Sequence, residues 1–419
     1  MKFDDYHITE LDNGLKIISE KIPHFRSISL GFWIFAGSRS ENKTNNGITH
    51  LIEHLLFKGT TTRSYRDIAV AFDSLGAEYN AFTDKENSCF YADFIDSHLD
   101  KCLQLLFDVV FNPSFESLNI KTEKKIIYEE IKMVEDNPSE NIFNYFYKDL
   151  FAGHPLSLTV LGQGESLKNI NQKEIWKYFR QNYNLKNCVL SAAGNIGHDK
   201  LVREVEKNID GFNHDAGANA NQVKKTRPDK RKFKNVYSHK TKAVHLCYGG
   251  LGCSRTHQDK YPLSVFTVLF GGSMSSRLFQ KIREEHGLSY SIFSTNSQYV
   301  DTGVVLTYAG SSPKNSYRII ELIEDELKDI ERNGLTEEEV IRAKENLKGS
   351  IVLNVEDISS RMFRMGKALL VDKKVLTIDD ILKKIDNVTS SQLIEIVNKY
   401  YNPEDQSWVI LGDLKGQRQ

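Results

Sequence analysis

The sequence predicts an α+β protein with two duplicated domains, each an antiparallel-rich sheet packed with helices. Segments rich in alternating or β-branched apolar residues lie between segments of helical periodicity. A chain of 419 residues is long for one core, so two domains are expected. A pattern of helix, turn and strand near the middle of the chain also recurs near its end.

The first half of the chain predicts strands and helices in alternation. An Asn-Gly step inside residues 7–19 predicts a β-hairpin, and the run 27–36 is apolar enough for a central strand. Residues 78–94 predict two strands on either side of a polar turn. Helical periodicity and helix-ending residues predict helices at 64–75, 99–110, 118–134 and 201–209, with a further strand at 188–193.

The segment from Gly47 to Gly59 carries the most distinctive chemistry. Two asparagines before it and Gly59 after it predict a helix of about three turns. On that helix His50, Glu53 and His54 leave from one face. Two imidazoles one turn apart can grip one metal ion, and the carboxylate between them can reach a water on that ion. The order His-x-x-Glu-His is the inverted form of a known zinc-binding helix motif.

Two acidic residues on the predicted helix 118–134 lie on a common face, because Glu123 and Glu130 are two turns apart. A carboxylate brought back onto His50 and His54 would complete three protein ligands and leave a fourth position for water, as catalytic zinc requires. Taken alone, Glu130 is more simply interpreted as a solvated acidic residue on a helix rich in lysine and glutamate.

The His-x-x-Glu-His motif is followed by the run Glu123–Glu130, and Glu130 lies 76 residues after His54. Together these features resemble the pitrilysin/insulinase family of zinc peptidases. Within that family the sequence is similar to the branch of mitochondrial processing peptidase. The resemblance implies that His50, His54 and Glu130 bind one Zn²⁺ per chain. It also implies that Glu53 is the catalytic base and that Glu123 is a catalytic-site carboxylate just outside the ligand set.

Residues 80–83, which are Asn80, Ala81, Phe82 and Thr83, resemble the family's edge strand beside the metal. An edge strand can pair with an extended peptide through main-chain hydrogen bonds, with little sequence preference. The resemblance therefore implies a substrate-binding role for these four residues. Taken singly, each of them equally fits an ordinary half-buried strand.

The second half of the chain repeats the first. Tyr183-Asn184 and Gly194-Asn195-Ile196 recur with the same spacing as Tyr401-Asn402 and Gly412-Asp413-Leu414, and each copy follows a helical segment. We predict a catalytic, metal-binding domain at 1–214, a basic and polar linker at 215–240, and a homologous domain at 241–419. The repeat spacing places no histidine where the second copy would need one, so that copy is predicted to hold no metal. For the basic run in the linker, a solvated connection is preferred to a nucleic-acid or acidic-ligand patch.

The predicted second domain contains the stretch from Gly271 to Tyr290, which is similar to the family's signature in its noncatalytic domain. There an arginine and a tyrosine seven residues apart face the zinc, and Arg283 and Tyr290 have that spacing. The resemblance thus implies catalytic and substrate-binding roles, since a guanidinium and a phenol can both donate hydrogen bonds to a substrate carbonyl or a developing oxyanion. Without the resemblance, Arg283 would be interpreted as an exposed helix residue paired with Glu284 or Glu285.

Composition excludes some partners. A net charge of −1 offers no general positive field for nucleic acid, and the longest apolar run, 28–36, is too short to span a bilayer. The N-terminal residues have neither the pattern of a secretory signal nor that of a transit peptide, and five scattered cysteines fit reduced thiols. We therefore expect a cytoplasmic enzyme without nucleic-acid or membrane partners.

The resemblance implies a zinc metalloendopeptidase that cleaves unfolded or extended peptides inside a closed chamber. Family members of this length resemble half of a four-domain clamshell, so two chains are expected to close one chamber. Because this chain carries both the metal motif and the Arg/Tyr pair, a homodimer is expected. The alternative is a noncatalytic assembly or partner subunit of the same family. Such subunits typically lose part of the metal motif, which is complete here.

Overall fold

A computed structural model of the protein describes residues 6–209 and 226–414. These residues form two compact units, each with its own sheet. The first unit contains residues 6–131, 158–209 and 353–377, and the second contains 132–157, 226–352 and 378–414.

The first unit contains a six-stranded sheet. Its strands cross the sheet in the order β1-β2-β6-β3-β5-β4, and β2 and β6 are the parallel pair among antiparallel neighbours. The predicted hairpin is confirmed, and Gly14 in its turn has a φ of 88° that favours glycine. The strands are β1 (Tyr6–Glu10), β2 (Lys16–Lys21), β3 (Ser27–Ile34), β4 (Glu78–Thr83), β5 (Ser88–Ile95) and β6 (Cys188–Gly194).

The second unit contains a five-stranded sheet with the order β7-β11-β8-β10-β9, in which β7 and β11 are parallel. With β1 left aside, the order and directions match those of the first sheet strand for strand. The predicted α+β class and the duplication are therefore confirmed. The strands are β7 (Lys234–Ser238), β8 (Val244–Gly252), β9 (Ser289–Gln298), β10 (Gly303–Ser311) and β11 (Ser407–Gly412).

Helices pack on both sheets. In the described parts of the chain, no helix is both long and apolar enough to cross a bilayer. The first unit contains α1–α4, α6–α8 and α12, and the second contains the others. The α-helices are α1 (Ile48–Leu56), α2 (Tyr65–Ser74), α3 (Leu99–Phe111), α4 (Ser117–Glu135), α5 (Pro138–Leu150), α6 (Gly164–Asn169), α7 (Gln172–Asn182), α8 (His198–Ile209), α9 (Lys260–Thr267), α10 (Ser316–Asn333), α11 (Glu337–Asn354), α12 (Ile358–Lys367), α13 (Ile378–Asp386) and α14 (Ser390–Tyr400).

The compact units are not the contiguous segments 1–214 and 241–419 of the sequence prediction. Helix α12 belongs to the first unit, where Met362 and Met365 pack beside Trp33 of β3. Helix α5 belongs to the second unit, where Phe146 packs beside Val409 of β11. The central strands are buried on both faces, so each sheet needs helices on two sides, and one of those helices comes from a distant part of the chain.

The predicted linker 215–240 is partly a strand. Its first part, up to residue 225, lies outside the described residues. Residues Lys234–Ser238 form β7, which pairs with β11, and the linker interpretation is wrong for this segment. The Tyr237 hydroxyl donates to the Asp149 carboxylate at 2.9 Å, and the Asn235 amide donates to it at 2.8 Å. The strand was not predicted because lysines surround these residues and because β7 is half-buried on one face only.

We predict that Gly366→Ala destabilises the protein although alanine normally favours helices. A Cβ atom at Gly366 of α12 would overlap the Trp33 indole ring and lie 3.0 Å from the Ser191 Cβ. Overpacking of this kind costs about 1–3 kcal/mol. The check is the midpoint of denaturant unfolding.

The matched control is Gly349→Ala in α11. Nothing lies within 4 Å of a Cβ atom built there, so this variant should gain roughly 0.5–1 kcal/mol from helix propensity. Equal or higher stability of Gly366→Ala would contradict the close packing of α12 on β3.

Candidate metal centre

Helix α1 presents the motif because its apolar residues fix the helix on the core. Leu51, Ile52 and Leu55 are fully buried in the hydrophobic core of the first unit. The helical period then turns His50 and His54 to the less buried side, where their side chains are 11% and 18% exposed. The predicted motif helix is therefore present, with two and a half turns.

The predicted ends of α1 differ from those observed. The residue before the helix is Gly47, with a φ of 94° and no side-chain cap, so the asparagines do not cap the helix as predicted. The Asn46 side chain instead donates to the Glu41 carboxylate and to the Thr159 carbonyl, each at 2.8 Å. The helix ends at Leu56, ahead of Gly59, because the chain turns there and Lys58 N–H bonds back to the Leu55 carbonyl.

Glu130 lies against both histidines. Its Oε2 is 3.9 Å from His50 Nε2, and its Oε1 is 3.8 Å from His54 Nε2. Donor atoms of all three residues lie within 4.8 Å of one another, an arrangement that can hold a metal ion. Ligands of a tetrahedral ion with bonds of about 2.1 Å are about 3.4 Å apart, so small side-chain shifts would bring these atoms to coordination distance.

The chemistry of the donors also fits a metal. Burial, with a further contribution from His54, lowers the pKa of His50 to about 4. The imidazole is therefore neutral near pH 7, which is the form that binds metals. His50 Nδ1 is buried and has no hydrogen-bond partner among the described residues.

Helix α4 delivers Glu130 and Glu123 together. Ile120 and Ile127 are buried and fix the rotation of the helix, which also buries Glu123. The Asn119 side chain donates to the Lys58 carbonyl at 3.1 Å, so α4 is tied directly to the end of the motif segment. Glu130 remains about one-third exposed.

Glu123 orients His54. Its Oε2 lies 3.0 Å from His54 Nδ1, and its Oε1 lies 3.1 Å from Lys58 Nζ. Since a carboxylate accepts hydrogen bonds, Nδ1 carries the proton and Nε2 is left as the nitrogen that can bind a metal. The sequence reasoning missed Lys58, although its position four residues after His54 on a helical path was a usable signal.

Glu53 faces the same site. Burial raises the pKa of its carboxyl, and the nearby Glu130 charge raises it further, while a hydrogen bond with the Thr83 side chain and the proximity of His54 oppose these effects. Its Oε2 is buried and has no hydrogen-bond partner among the described residues. The carboxylate thus combines raised basicity with an oxygen available to accept a proton.

Among the described strands, β4 lies at the edge of the first sheet and pairs with β5 alone. Asn80 Oδ1 accepts a hydrogen bond from the Ala81 N–H at 2.8 Å. The Phe82 ring contacts the rings of Trp33 and Phe363, so this side chain is part of an aromatic cluster. The Thr83 side chain forms a hydrogen bond with Glu53 of the motif, which acts to lower the pKa of that carboxyl.

Arg283 and Tyr290 belong to the second unit. Arg283 lies in the π-helical segment Phe279–Glu285, 3.7 Å from the Glu284 carboxylate and 4.8 Å from the Phe279 ring centroid. Its side chain is 45% exposed. Tyr290 is on β9 and is 75% exposed. Within this unit, Arg283 has the exposed ion pair that the simpler interpretation predicts.

Two family models match the chain. Residues 16–164 match the model described as insulinase (peptidase family M16), and residues 169–347 match the model described as the peptidase M16 inactive domain. These segments cover more than half of the chain. The chain therefore belongs to the insulinase family of peptidases, M16, as predicted. The branch similar to mitochondrial processing peptidase stays a prediction.

Relatives along the full chain carry the name zinc protease. An uncharacterized zinc protease of Bacillus subtilis (strain 168) is 36% identical over 392 residues, which is 94% of this chain and 95% of the relative. One from Streptomyces coelicolor is 35% identical over 411 residues, 97% and 89% of the two chains. One from Rickettsia felis is 32% identical over 419 residues, 99% of both.

Solved structures share the fold. A protease from Helicobacter pylori superposes with a TM-score of 0.93 at 21% identity, covering 98% of this chain and 100% of the other. A structure named peptidase M16 inactive domain, from Pseudomonas fluorescens, has a TM-score of 0.90 at 20% identity and covers 99% of both chains. At these identities the similarity concerns the fold alone.

We predict that Glu123→Gln weakens metal binding by about 10–100-fold, because the amide no longer fixes the His54 tautomer and loses the Lys58 contact. The measurement is competition with a chromophoric chelator. Glu135→Gln, an exposed charge loss at the end of the same helix, is the control and should bind metal as the wild type does. Equal affinities of the two variants would show that Glu123 does not support the centre.

Proposed function

We propose that the protein is a zinc metalloendopeptidase that cleaves extended or unfolded peptides. The observation that carries this proposal is the convergence of His50, His54 and Glu130, with the Glu53 carboxylate beside them. Two neutral nitrogens and one carboxylate are a typical ligand set of catalytic zinc, which keeps one position open. The zinc protease names of the relatives support this metal and this reaction class.

In this mechanism His50, His54 and Glu130 would hold one zinc ion. Bound zinc supplies Lewis acidity, which polarises a carbonyl and lowers the pKa of water from about 15.7 toward 7. Glu53 accepts the proton of the attacking water on Oε2, which has no hydrogen-bond partner in the part of the chain that the structure describes, and returns it to the leaving amine. Glu123 keeps His54 in the ligating tautomer throughout.

Strand β4 supports the choice of an extended substrate. It is an edge strand, and Thr83 at its end bonds to Glu53 of the motif. A peptide that pairs with this edge in an extended conformation would place a main-chain carbonyl near the base. Because the added strand is bound through its backbone, we expect little sequence preference.

We predict that Glu53→Gln retains zinc but lowers turnover of a quenched extended-peptide pool by at least about 100-fold. The amide keeps the shape of the side chain and cannot take up a proton. Metal content of the purified variant and the initial rate of cleavage are the two measurements. Glu135→Gln, at the exposed end of α4, is the matched control and should keep wild-type turnover.

Full activity of Glu53→Gln would refute the proposed role of the base. Wild-type protein that contains zinc but cleaves no peptide would support the alternative, a noncatalytic assembly or partner subunit of the family. Protein purified without metal and unable to take up zinc would support that alternative as well.

We further propose a homodimer with two sites, each completed by Arg283 and Tyr290 of the partner subunit. Their donors would stabilise the negative charge that develops on the substrate carbonyl. The support is the family resemblance and the presence of both sets of residues in one chain. In this arrangement two chains close one chamber around the peptide.

Subunit mixing tests this arrangement. Glu53→Gln and Arg283→Ala proteins should each be inactive alone, whereas mixed dimers contain one intact composite site and should recover up to about one quarter of wild-type activity, since random pairing makes half of the dimers mixed. Co-refolded mixtures are compared with each variant alone. Absence of recovery in mixtures shown to contain mixed dimers would contradict sites shared between subunits.

A further inference from the structure

The helix that carries the histidines begins on a buried carboxylate. Glu41 Oε2 accepts the Gly47 N–H at 2.7 Å, and Glu41 Oε1 accepts the Thr49 N–H at 2.9 Å. The Asn46 side chain also donates to Oε2, at 2.8 Å. Glu41 is 6% exposed, so these are interactions of a buried group.

This contact replaces the usual cap of a helix. The first N–H groups of a helix have no carbonyl partner inside the helix, and Gly47 offers no side chain to accept them. A carboxylate at that end also faces the positive pole of the helix dipole. Glu41 is the side chain that provides both effects for α1.

The position of this contact matters for the ligands. Thr49 immediately precedes His50, so its N–H bond to Glu41 fixes the backbone one residue before the first metal ligand. The Thr49 hydroxyl also shares a hydrogen bond with the Tyr178 hydroxyl, at 2.7 Å. Any axial shift or rotation of α1 would change the distance of both imidazoles from Glu130.

The loop around Glu41 is itself anchored. Asn46 donates to the Thr159 carbonyl at 2.8 Å, and the Ser166 hydroxyl donates to the Asn46 carbonyl at 2.7 Å. The carboxylate therefore connects the start of α1 to a second stretch of the first unit. A fixed support of this kind is what a metal site needs to keep its ligands at coordination distance.

We propose that Glu41 is a positioning residue that sets the register of α1 for metal binding. The inference rests on the metal site of the proposed function, and its test is metal affinity instead of turnover. It extends the set of residues that determine the site beyond the ligands, Glu53 and Glu123.

Glutamine is the informative substitution. It keeps the size of the side chain, but its amide has one accepting oxygen where the carboxylate uses two. Burial raises the pKa of Glu41 to about 7, against hydrogen bonds from Asn46, Thr49 and Gly47. Measurements at pH 8 therefore compare the ionised carboxylate with the amide.

The experiment titrates metal-free Glu41→Gln with zinc against a chromophoric chelator. We expect its Kd for zinc to rise about tenfold or more, as for other residues that orient ligands from outside the ligand set. Glu20→Gln is the matched control, because Glu20 of β2 is also buried, at 3% exposed, and pairs with Arg361 of α12 at 2.5 Å. This control should lose stability and keep the wild-type Kd.

A Glu41→Gln variant that is destabilised but keeps the wild-type Kd for zinc would overturn the inference about Glu41 and leave the proposed metal centre unaffected. Wild-type protein without saturable zinc binding would overturn the metal centre and the inference together. If the zinc affinities of all three proteins follow the expected pattern but the wild-type protein cleaves no peptide, the inference about Glu41 stands and the proposed reaction is contradicted.

The wild-type protein provides a second test should the variant fail to fold. Coupling between two sites is reciprocal, so zinc that is favoured by the Glu41 contacts must in turn strengthen them. We expect zinc to slow amide hydrogen exchange at Gly47 and Thr49 by several-fold. Unchanged exchange at both amides in zinc-saturated protein would overturn the inference.

Discussion

The burial of one face of α1 is the constraint on which the site depends. Leu51, Ile52 and Leu55 are removed from water completely, and a buried aliphatic side chain contributes about 1.5–3 kcal/mol. The other face of the helix holds polar groups, among them a Glu53 carboxyl whose pKa is raised by burial. The helix cannot turn to hydrate these groups without exposing its apolar side. The hydrophobic core therefore holds His50, Glu53 and His54 together on the other face of the helix.

The charges around His50 and His54 then determine which ligand this site can bind. Glu53, Glu123 and Glu130 surround two imidazoles, and among the described contacts Lys58 is the cation that reaches one of these carboxylates. A proton is a poor counter-charge here, because burial lowers the pKa of His50 to about 4. A divalent cation can accept electron pairs from the Glu130 carboxylate and from both imidazoles at once. The same surroundings that penalise an imidazolium thus favour a metal ion.

The sequence pattern predicted the features that depend on interactions within a single helix. The period of α1 and the seven-residue spacing of Glu123 and Glu130 are properties of single helices, so they could be derived from the sequence. Placing α4 against α1 required the family resemblance, because no periodicity encodes a contact between distant helices. Glu41 was missed since a glutamate in a loop carries no helix-start signal when the carboxylate acts from several residues away. The sequence also did not predict that α5 belongs to the second unit and α12 to the first, because no periodicity encodes contacts between distant segments.

The duplicated fold shows how separate the scaffold and the site are. With β1 left aside, both sheets have the same strand order, yet the repeat spacing places Gly271 where the first copy has Glu53. A Cβ atom at Gly271 would lie 2.8 Å from the backbone nitrogen and the Cβ of Ser294 on β9. The second copy has closed this space by direct packing of backbone on strand, which leaves no room for a carboxylate. Restoring histidines alone could not rebuild the same cluster there, because the position equivalent to Glu53 is filled by backbone packing.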